Sequence, residues 1–227
     1  WPDSLYMGMV DFYGWGKNVG KTTRDHLIQL DKLAVANASI LAFPSQWAAD
    51  FTIKTYGADP AKVKVIPWGA NEECDRTAED IKAAVVKKSR DKCVLLFVGV
   101  EFERKGGNRI IEIAADLNRK GLPTELIILG AQLKDKDLPD FVRVEGFIDK
   151  RTPQGKERIQ QLHAESHFLL MLSQAETYGL VFCEANSYGV PCIGSDVGGI
   201  PTLIQDGKNG KTFPLDSPLE TYTDYIM

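Results

Sequence analysis

Two glutamates separated by seven residues are the side chains of this sequence best spaced for chemistry. Glu176 and Glu184 frame the segment ETYGLVFCE, and Gly179 lies between them where the pattern predicts the start of a helix. The first turn of a helix presents N–H groups without partners and the positive end of the helix dipole, which together favour an anionic phosphate. A phosphate bound there would have one carboxylate before the helix and one within it.

The spacing suits a nucleotide diphosphate that carries a sugar. Glu184 lies about five residues into the predicted helix, which is roughly 7 Å along its axis. That length is about the step from a diphosphate to a ribose, and a carboxylate can accept two hydrogen bonds from a vicinal diol. Glu176 precedes the helix, on the side where an attached sugar would lie. Since Glu184 is flanked by Phe182, Cys183 and Ala185, and a buried carboxylate without a partner is costly, a binding role is favoured over surface charge.

A second segment, GVEFERKGG at residues 99–107, carries two adjacent cations, Arg104 and Lys105. It follows an apolar run and precedes a helical pattern, so it is predicted to be a loop at the carboxyl end of a strand. Such a loop can bring fixed positive charge and closely approaching backbone against a diphosphate. Two solvated cations on a surface turn remain an alternative for this segment taken alone.

From about residue 75 onward, apolar runs that end in glycine alternate with helical patterns. This alternation predicts an α/β fold with a doubly wound, Rossmann-like parallel sheet. The predicted strands are 93–98, 125–129, 141–144, 168–172, 191–195 and an edge strand at 211–213. The predicted helices are 108–120, 153–164, 179–188, 200–205 and a last one opened by Ser217 and Pro218. Ligands of such sheets bind at the carboxyl ends of the strands, here 99–107, 130–133, 146–150, 173–179 and 196–199.

The first 68 residues follow a different pattern. They predict an amphipathic helix at 23–37, a strand at 39–43, a helix at 46–56 capped by Ser45, and a strand at 63–66. This is one αβαβ piece, too short for a mononucleotide-binding half. We therefore expect two parts, an incomplete first domain at 1–70 and a nucleotide-sugar-binding domain at 71–227. Trp1 at the start and Met227 inside a predicted helix suggest a piece of a longer enzyme.

Composition excludes several classes of protein. The chain has 27 basic and 31 acidic residues, a net charge of −4, which excludes the strongly basic surface of a nucleic-acid-binding protein. Its 44% apolar and 26% charged residues are typical of a globular protein. No apolar run approaches the roughly 18 residues of a bilayer crossing, and a peripheral membrane contact stays open.

The cysteines form no recognisable metal or redox motif. Cys74, Cys93, Cys183 and Cys192 make no CxxC pair and have no spacing to histidine that a metal would require. Three of them lie in apolar segments, where cysteine behaves as a small core residue. We expect a reducing cytoplasmic location.

The segment beginning at Glu176 resembles the donor site of the retaining glycosyltransferases of family 4, which have the GT-B fold. The similarity includes the two glutamates, GVP at 189–191, Ser195-Asp196, Gly198-Gly199 and the turns DG and NG that follow. FVGVEFERKGG resembles the diphosphate loop of the family. SQWAADFTIKTYG and VIPWGANEE resemble the segment that leads out of its acceptor domain, so residues 1–70 would be a remnant of that acceptor-side domain. The resemblance covers most of residues 38–215.

The resemblance implies a role for each candidate residue. The sugar nucleotide would bind the second domain, with the catalytic centre of the family in the cleft between its domains. Arg104 and Lys105 would neutralise the diphosphate, and Val100 stands where many members have arginine. Glu176 would hold hydroxyls of the transferred sugar as the catalytic residue, and Glu184 would hold the ribose. The backbone of Gly179, Leu180 and Val181 would contact phosphate, and Gly146, Phe147 and Ile148 would border the base.

The implied activity is transfer of a sugar, with retention, from a nucleotide diphosphate sugar to a hydroxyl acceptor in glycan biosynthesis. The acceptor would be a sugar, a lipid-linked glycan or a small molecule, and neither a metal nor a cofactor is implied, because cations and a helix end supply the charge stabilisation. A sugar-nucleotide epimerase on the same fold and a non-catalytic nucleotide-binding module remain alternatives. No segment suggests the lysine that a pyridoxal-dependent phosphorylase needs, and the absence of GxGxxG with a following acidic residue argues against NAD.

Overall fold

A computed structural model describes residues 5–14, 19–72, 75–133 and 137–227, so Cys74 lies outside the described residues. The chain divides into two compact units. The first unit contains Trp1–Gly69, Ala175–Gly179 and Val197–Leu203. The second unit contains Ala70–Gln174, Leu180–Asp196 and Ile204–Met227.

Within Trp1–Gly69, the described residues of the first unit form three helices and a small parallel sheet. Its elements are α1 (Tyr6–Tyr13), α2 (Lys21–Asn37), β1 (Leu41–Phe43), α3 (Gln46–Tyr56) and β2 (Val63–Val65), with a 3-10 turn at Pro60–Lys62. Strand β1 pairs in parallel with β2. The predicted helix 46–56 is confirmed with its cap, since the Ser45 hydroxyl accepts from the Ala48 N–H at 3.2 Å.

Helix α1 was not predicted from the sequence. It has no side-chain cap of its own at Leu5. Its first N–H is satisfied instead by Asp31 of α2, whose carboxylate accepts from the Tyr6 N–H at 2.8 Å and from the Tyr56 hydroxyl at 2.8 Å. This cap comes from a residue 25 positions away, so no local signal marks the start of the helix.

The second unit is built on a six-stranded sheet. Its strands are β3 (Cys93–Gly99), β4 (Thr124–Gly130), β5 (Val142–Gly146), β6 (Phe168–Met171), β7 (Cys192–Ser195) and β8 (Gly210–Phe213). Their order is β5-β4-β3-β6-β7-β8 and every pairing is parallel. The predicted parallel sheet is therefore confirmed, with β8 at an edge. The central strands are almost fully buried, which explains their unbroken apolar runs.

The second unit also contains helices that precede, connect or follow the strands of this sheet. They are α4 (Ala78–Val86), α5 (Gly107–Arg119), α6 (Pro153–Glu165), α7 (Leu180–Asn186) and α9 (Leu219–Ile226). The chain also returns to the first unit at the short helix α8 (Ile200–Leu203). Helix α4 was missed because its segment has mixed charge; a capping box between Thr77 and Asp80 begins it. No described helix is both long enough and apolar enough to cross a membrane.

The strand order places a switch point in the middle of the sheet. The chain runs from β3 outward to β4 and β5, then crosses back to place β6 on the other side of β3. Leu96 of β3 is accordingly paired with Ile127 on one side and Leu169 on the other. The connection after β3 leads toward one edge of the sheet and the connection after β6 toward the other, and parallel sheets bind their ligands at such points.

Candidate functional site

The loop that leaves β3 is held tightly at the switch point. Phe102 is buried against the ring of Phe97, with 5.3 Å between the ring centroids. The carbonyl of Arg104 accepts from the Gln174 N–H, beyond β6, at 2.9 Å. Gly106 has φ +76°, and a Cβ there would lie 2.5 Å from the carbonyl oxygen of Leu172. The loop and the segment after β6 are therefore packed backbone against backbone.

Both predicted cations lie on this loop. The Lys105 side chain crosses the end of β3, because a Cβ at Gly99 would lie 2.5 Å from its Cδ. Its Nζ is 4.0 Å from the sulfur of Met171 at the end of β6. Arg104 contacts Glu101, with 2.5 Å between Nη2 and Oε2, and this hydrogen bond lowers the pKa of the Glu101 carboxyl. Arg104 and Lys105 thus place positive charge at the switch point, and Glu101 neutralises part of it.

Glu184 lies on α7 with 16% of its side chain exposed. Burial raises the pKa of its carboxyl, while nearby Lys150 acts in the opposite direction. The Nζ of Lys150 is 3.6 Å from Oε1 of Glu184. Lys150 was not predicted as a site residue, although it closes the segment 146–150 that follows β5. Its contact with α7 could not be predicted, because it depends on where the strands lie in the sheet.

A polar cleft of about 600 Å³ adjoins Lys150. Glu72 on its wall accepts a hydrogen bond of 2.6 Å from the Tyr188 hydroxyl, and the guanidinium carbon of Arg76 lies 3.6 Å from the centre of the Tyr188 ring. The lining residues are Ala70, Asn71, Glu72, Lys150, Arg151, Lys156, Ile159 and Gln160. Its volume falls in the range of small-molecule sites.

The residues predicted to border a base lie open at the end of β5. Gly146 has φ +66° and ends the strand, Phe147 is 68% exposed, and Ile148 is half-buried. A smaller cleft of about 320 Å³ lies beside Gly146, lined also by Gln132, Leu133, Val144 and Glu145. An exposed aromatic ring beside a cleft is available for contact with a planar ligand.

The predicted phosphate-binding backbone lies at the start of α7. Gly179 has φ +94° and is half-buried, and it ends the second segment of the first unit. Leu180 and Val181 are the first two residues of the seven-residue helix. The helix begins one residue later than predicted because Gly179 adopts the left-handed conformation that helices exclude.

Glu176 belongs to the first unit. Only 9% of the residue is exposed, and its Oε1 accepts from the Tyr13 hydroxyl at 3.2 Å. Its carbonyl accepts from the Gly199 N–H at 2.9 Å. A Cβ on Gly199 would lie 1.9 Å from the carbonyl oxygen of Thr177, and a Cβ on Gly198 would lie 2.2 Å from the carbonyl oxygen of Glu176. Because both residues are glycines, the backbone of 198–199 can lie against that of 176–177 and hold Glu176 in place.

Tyr13 was not identified from the sequence. It ends α1, 163 positions before its partner Glu176, and no motif around it indicates a site. Among the described residues, no group of three or more His, Cys, Asp or Glu side chains is arranged to hold a metal ion.

The sequence profile of the family Glycosyl transferases group 1 matches residues 78–220. This chain belongs to that glycosyl transferase family. The matched stretch contains Arg104, Lys105, Lys150, Glu176 and Glu184.

This chain is similar in sequence to glycosyltransferases of known name. It is 27% identical over 193 residues to D-inositol 3-phosphate glycosyltransferase of Gordonia bronchialis, an alignment that covers 79% of this chain and 42% of that protein. The chain thus spans less than half the length of that relative.

Two solved structures share the fold. The first is WaaG, a glycosyltransferase involved in lipopolysaccharide biosynthesis, with a TM-score of 0.67 and 20% identity over 99% of this chain and 63% of that one. The second is Alr3699/HepE of Anabaena in complex with UDP and glucose, with a TM-score of 0.62 and 21% identity over 88% of this chain and 56% of that one. The predicted GT-B architecture is therefore confirmed.

Proposed function

We propose that this group 1 chain carries the donor site of an enzyme that transfers a sugar, with retention, from a nucleotide diphosphate sugar to a hydroxyl acceptor. The observation that carries the proposal is the position of Arg104 and Lys105 at the switch point of the parallel sheet, with Glu184 on the helix that follows β6. Membership of the family and the UDP complex of HepE support the same donor class.

The diphosphate would bind where the loop after β3 meets α5. Lys105 holds its ammonium over the ends of β3 and β6. Helix α5 begins at Gly107 without a side-chain cap; the Gly107 N–H donates to the Phe102 carbonyl at 2.8 Å, and the positive end of the helix dipole would favour an anion in the same region. Arg104 would exchange Glu101 for a phosphate oxygen, and the backbone of Gly179, Leu180 and Val181 would add further donors.

The nucleoside would lie along the carboxyl ends of β5 and β6. Glu184, oriented by Lys150, would accept hydrogen bonds from the two ribose hydroxyls. The exposed Phe147 and the backbone of Gly146 and Ile148 would border the base. Since backbone groups would make most of the contacts to the base, the site would suit more than one base.

In the reaction, the bond between C1 of the sugar and the β-phosphate oxygen would break, and a bond from C1 to the acceptor oxygen would form. The acceptor proton would leave with the nucleotide diphosphate. Lys105 and Arg104 would stabilise the negative charge that grows on the leaving group, which is the stabilisation a metal would otherwise provide. Glu176, by its place in the motif, would bind hydroxyls of the sugar. The acceptor class, a sugar, a lipid-linked glycan or a small molecule, belongs to the same proposal.

Calorimetry with UDP-, GDP- and ADP-sugars tests the donor site. We expect one series to bind, and Lys105→Ala or Glu184→Ala to weaken that binding by tenfold or more, since a hydrogen bond to a charged group is worth about 1.5–3 kcal/mol. Lys82→Ala and Glu157→Ala remove exposed charges from α4 and α6 and should leave the affinity unchanged. Absence of binding by all three series in folded protein would overturn the proposal.

Product analysis separates the transferase from the alternatives. We expect the released nucleoside diphosphate to depend on an added hydroxyl acceptor and the new glycosidic bond to keep the donor's anomeric configuration. An epimerised sugar nucleotide formed without acceptor would indicate an epimerase. Binding with no conversion under any acceptor would indicate a nucleotide-binding module.

A further inference from the structure

We propose that Tyr13 is a positioning residue that orients the carboxylate of Glu176 toward the transferred sugar. This inference rests on the function proposed for Glu176 and assigns a residue that lies outside the segment matched by the family profile. Both residues belong to the first unit.

The Tyr13 hydroxyl contacts two consecutive residues, Glu176 and Thr177. It accepts from the Thr177 N–H at 2.8 Å. It lies 3.2 Å from Oε1 of Glu176 and 3.2 Å from Oγ1 of Thr177. Because an ionised carboxylate can only accept and a phenol has a single proton, the Tyr13 hydroxyl donates that proton to Glu176. The Tyr13 hydroxyl thus links the backbone of Thr177 to the side chain of Glu176.

The surroundings keep this phenol a donor. Glu176 is buried, and a buried carboxylate needs hydrogen bonds. Burial, and next the charge of Glu176, raise the pKa of Tyr13 to about 12. Tyr13 is therefore protonated throughout the neutral range and always able to donate to Glu176.

The position of Tyr13 is determined by contacts other than its hydroxyl. Helix α1 is capped by Asp31, and the ring of Phe12 lies 4.5 Å from that of Trp47 and 5.6 Å from that of Tyr13. A Cβ on Gly198 would lie 2.7 Å from Phe12. These contacts hold the end of α1 in place without the Tyr13 hydroxyl, so a phenylalanine at position 13 would fill the same space.

Tyr13→Phe is the direct test, and Tyr56→Phe is a matched control. The Tyr56 hydroxyl has the same chemistry in the same unit, since it accepts from the Met7 N–H at 3.1 Å and donates to Asp31 at 2.8 Å. We expect Tyr13→Phe to reduce kcat with the sugar nucleotide at least tenfold, to change KM less than threefold, and to change affinity for the nucleoside diphosphate alone less than twofold. Tyr56→Phe should lower Tm and leave kcat within twofold.

A double-mutant cycle measures the coupling. In a Glu176→Ala background, which removes the acceptor of the Tyr13 hydroxyl, Tyr13→Phe should have no additional effect on kcat. Glu176→Gln should also lower the pKa of Tyr13 in an ultraviolet absorbance titration, because the charge that raises it is gone. This titration reports on the pair whether or not the protein is an enzyme.

The outcomes separate the two proposals. The positioning role alone is overturned if the wild-type chain binds nucleotide sugar and Tyr13→Phe leaves kcat unchanged. It is also overturned if Tyr13→Phe weakens binding of the nucleoside diphosphate as much as it lowers kcat. A wild-type chain that binds no nucleotide sugar would overturn the proposed function and this inference with it.

Discussion

At the scale of single residues, the buried carboxylate of Glu184 opposes folding. Its pKa is raised mainly by burial, so the folded state binds a proton more readily than the unfolded state. The stability contributed by this group is present below the ordinary carboxyl pKa of about 4.3 and is lost as the pH rises through the folded-state value. A residue that reduces stability at neutral pH is expected where it serves a ligand.

Glu184→Gln should therefore stabilise the protein at neutral pH while it weakens nucleotide binding. We expect Tm at pH 7.5 to rise by about 2 °C, the shift that about 1 kcal/mol gives in a domain of this size, and the difference to vanish near pH 4. Thermal unfolding followed by circular dichroism at both pH values measures this. Glu157→Gln, an exposed site on α6, should show no such gain; a lower Tm for Glu184→Gln at pH 7.5 would contradict the prediction.

At the scale of elements, the loop 100–106 depends on Gly106 for two distinct reasons. Its φ of +76° is unfavourable for other residues, and the Leu172 carbonyl lies where a Cβ would be. Gly121 has φ +91° but nothing within 4 Å of a Cβ position. The two glycines therefore separate backbone strain from steric overlap.

Gly106→Ala should lower Tm about twice as much as Gly121→Ala. Strain alone amounts to roughly 1–2 kcal/mol at either position, and the overlap at Gly106 must in addition move the loop away from Leu172. Since Arg104 and Lys105 lie on that loop, Gly106→Ala should also weaken nucleotide binding, whereas Gly121→Ala should not. Thermal unfolding and calorimetry on the two variants check this, and equal effects of both would show that the close approach is unimportant.

At the scale of the whole molecule, His163 makes stability depend on pH. Its ring is buried, stacks on Tyr188 at 4.8 Å and lies 2.9 Å from the Ile159 carbonyl through Nδ1. Burial lowers its pKa, against the charge of Glu72 and together with those of Arg76 and Lys88. Because the folded-state pKa is depressed, the stability from neutral His163 is present above the unfolded pKa near 6.5 and is lost as the pH falls.

His163→Gln should reduce the loss of stability between pH 7 and pH 5. As the pH falls, the free energy of unfolding of the wild type should decrease more steeply than that of His163→Gln. The difference in slope from this one proton is up to about 1.4 kcal/mol per pH unit. Urea unfolding at pH 5, 6, 7 and 8 gives the two curves. His26→Gln replaces an exposed histidine on α2 and should follow the wild type; parallel curves for all three proteins would contradict the role of His163.

The sequence alone predicted the strands of the second unit, its helices other than α4, its parallel class and the loops at its carboxyl edge. Apolar runs, helical periodicity and terminal glycines are local signals, and they led to the prediction of Arg104, Lys105 and Glu184 as site residues. The order of the strands, and with it the switch point between β3 and β6, came from the structure. So did the pairing of Lys150 with Glu184 and of Tyr13 with Glu176. These contacts join residues far apart in the chain, and only packing of the folded elements, which no local pattern encodes, brings them together.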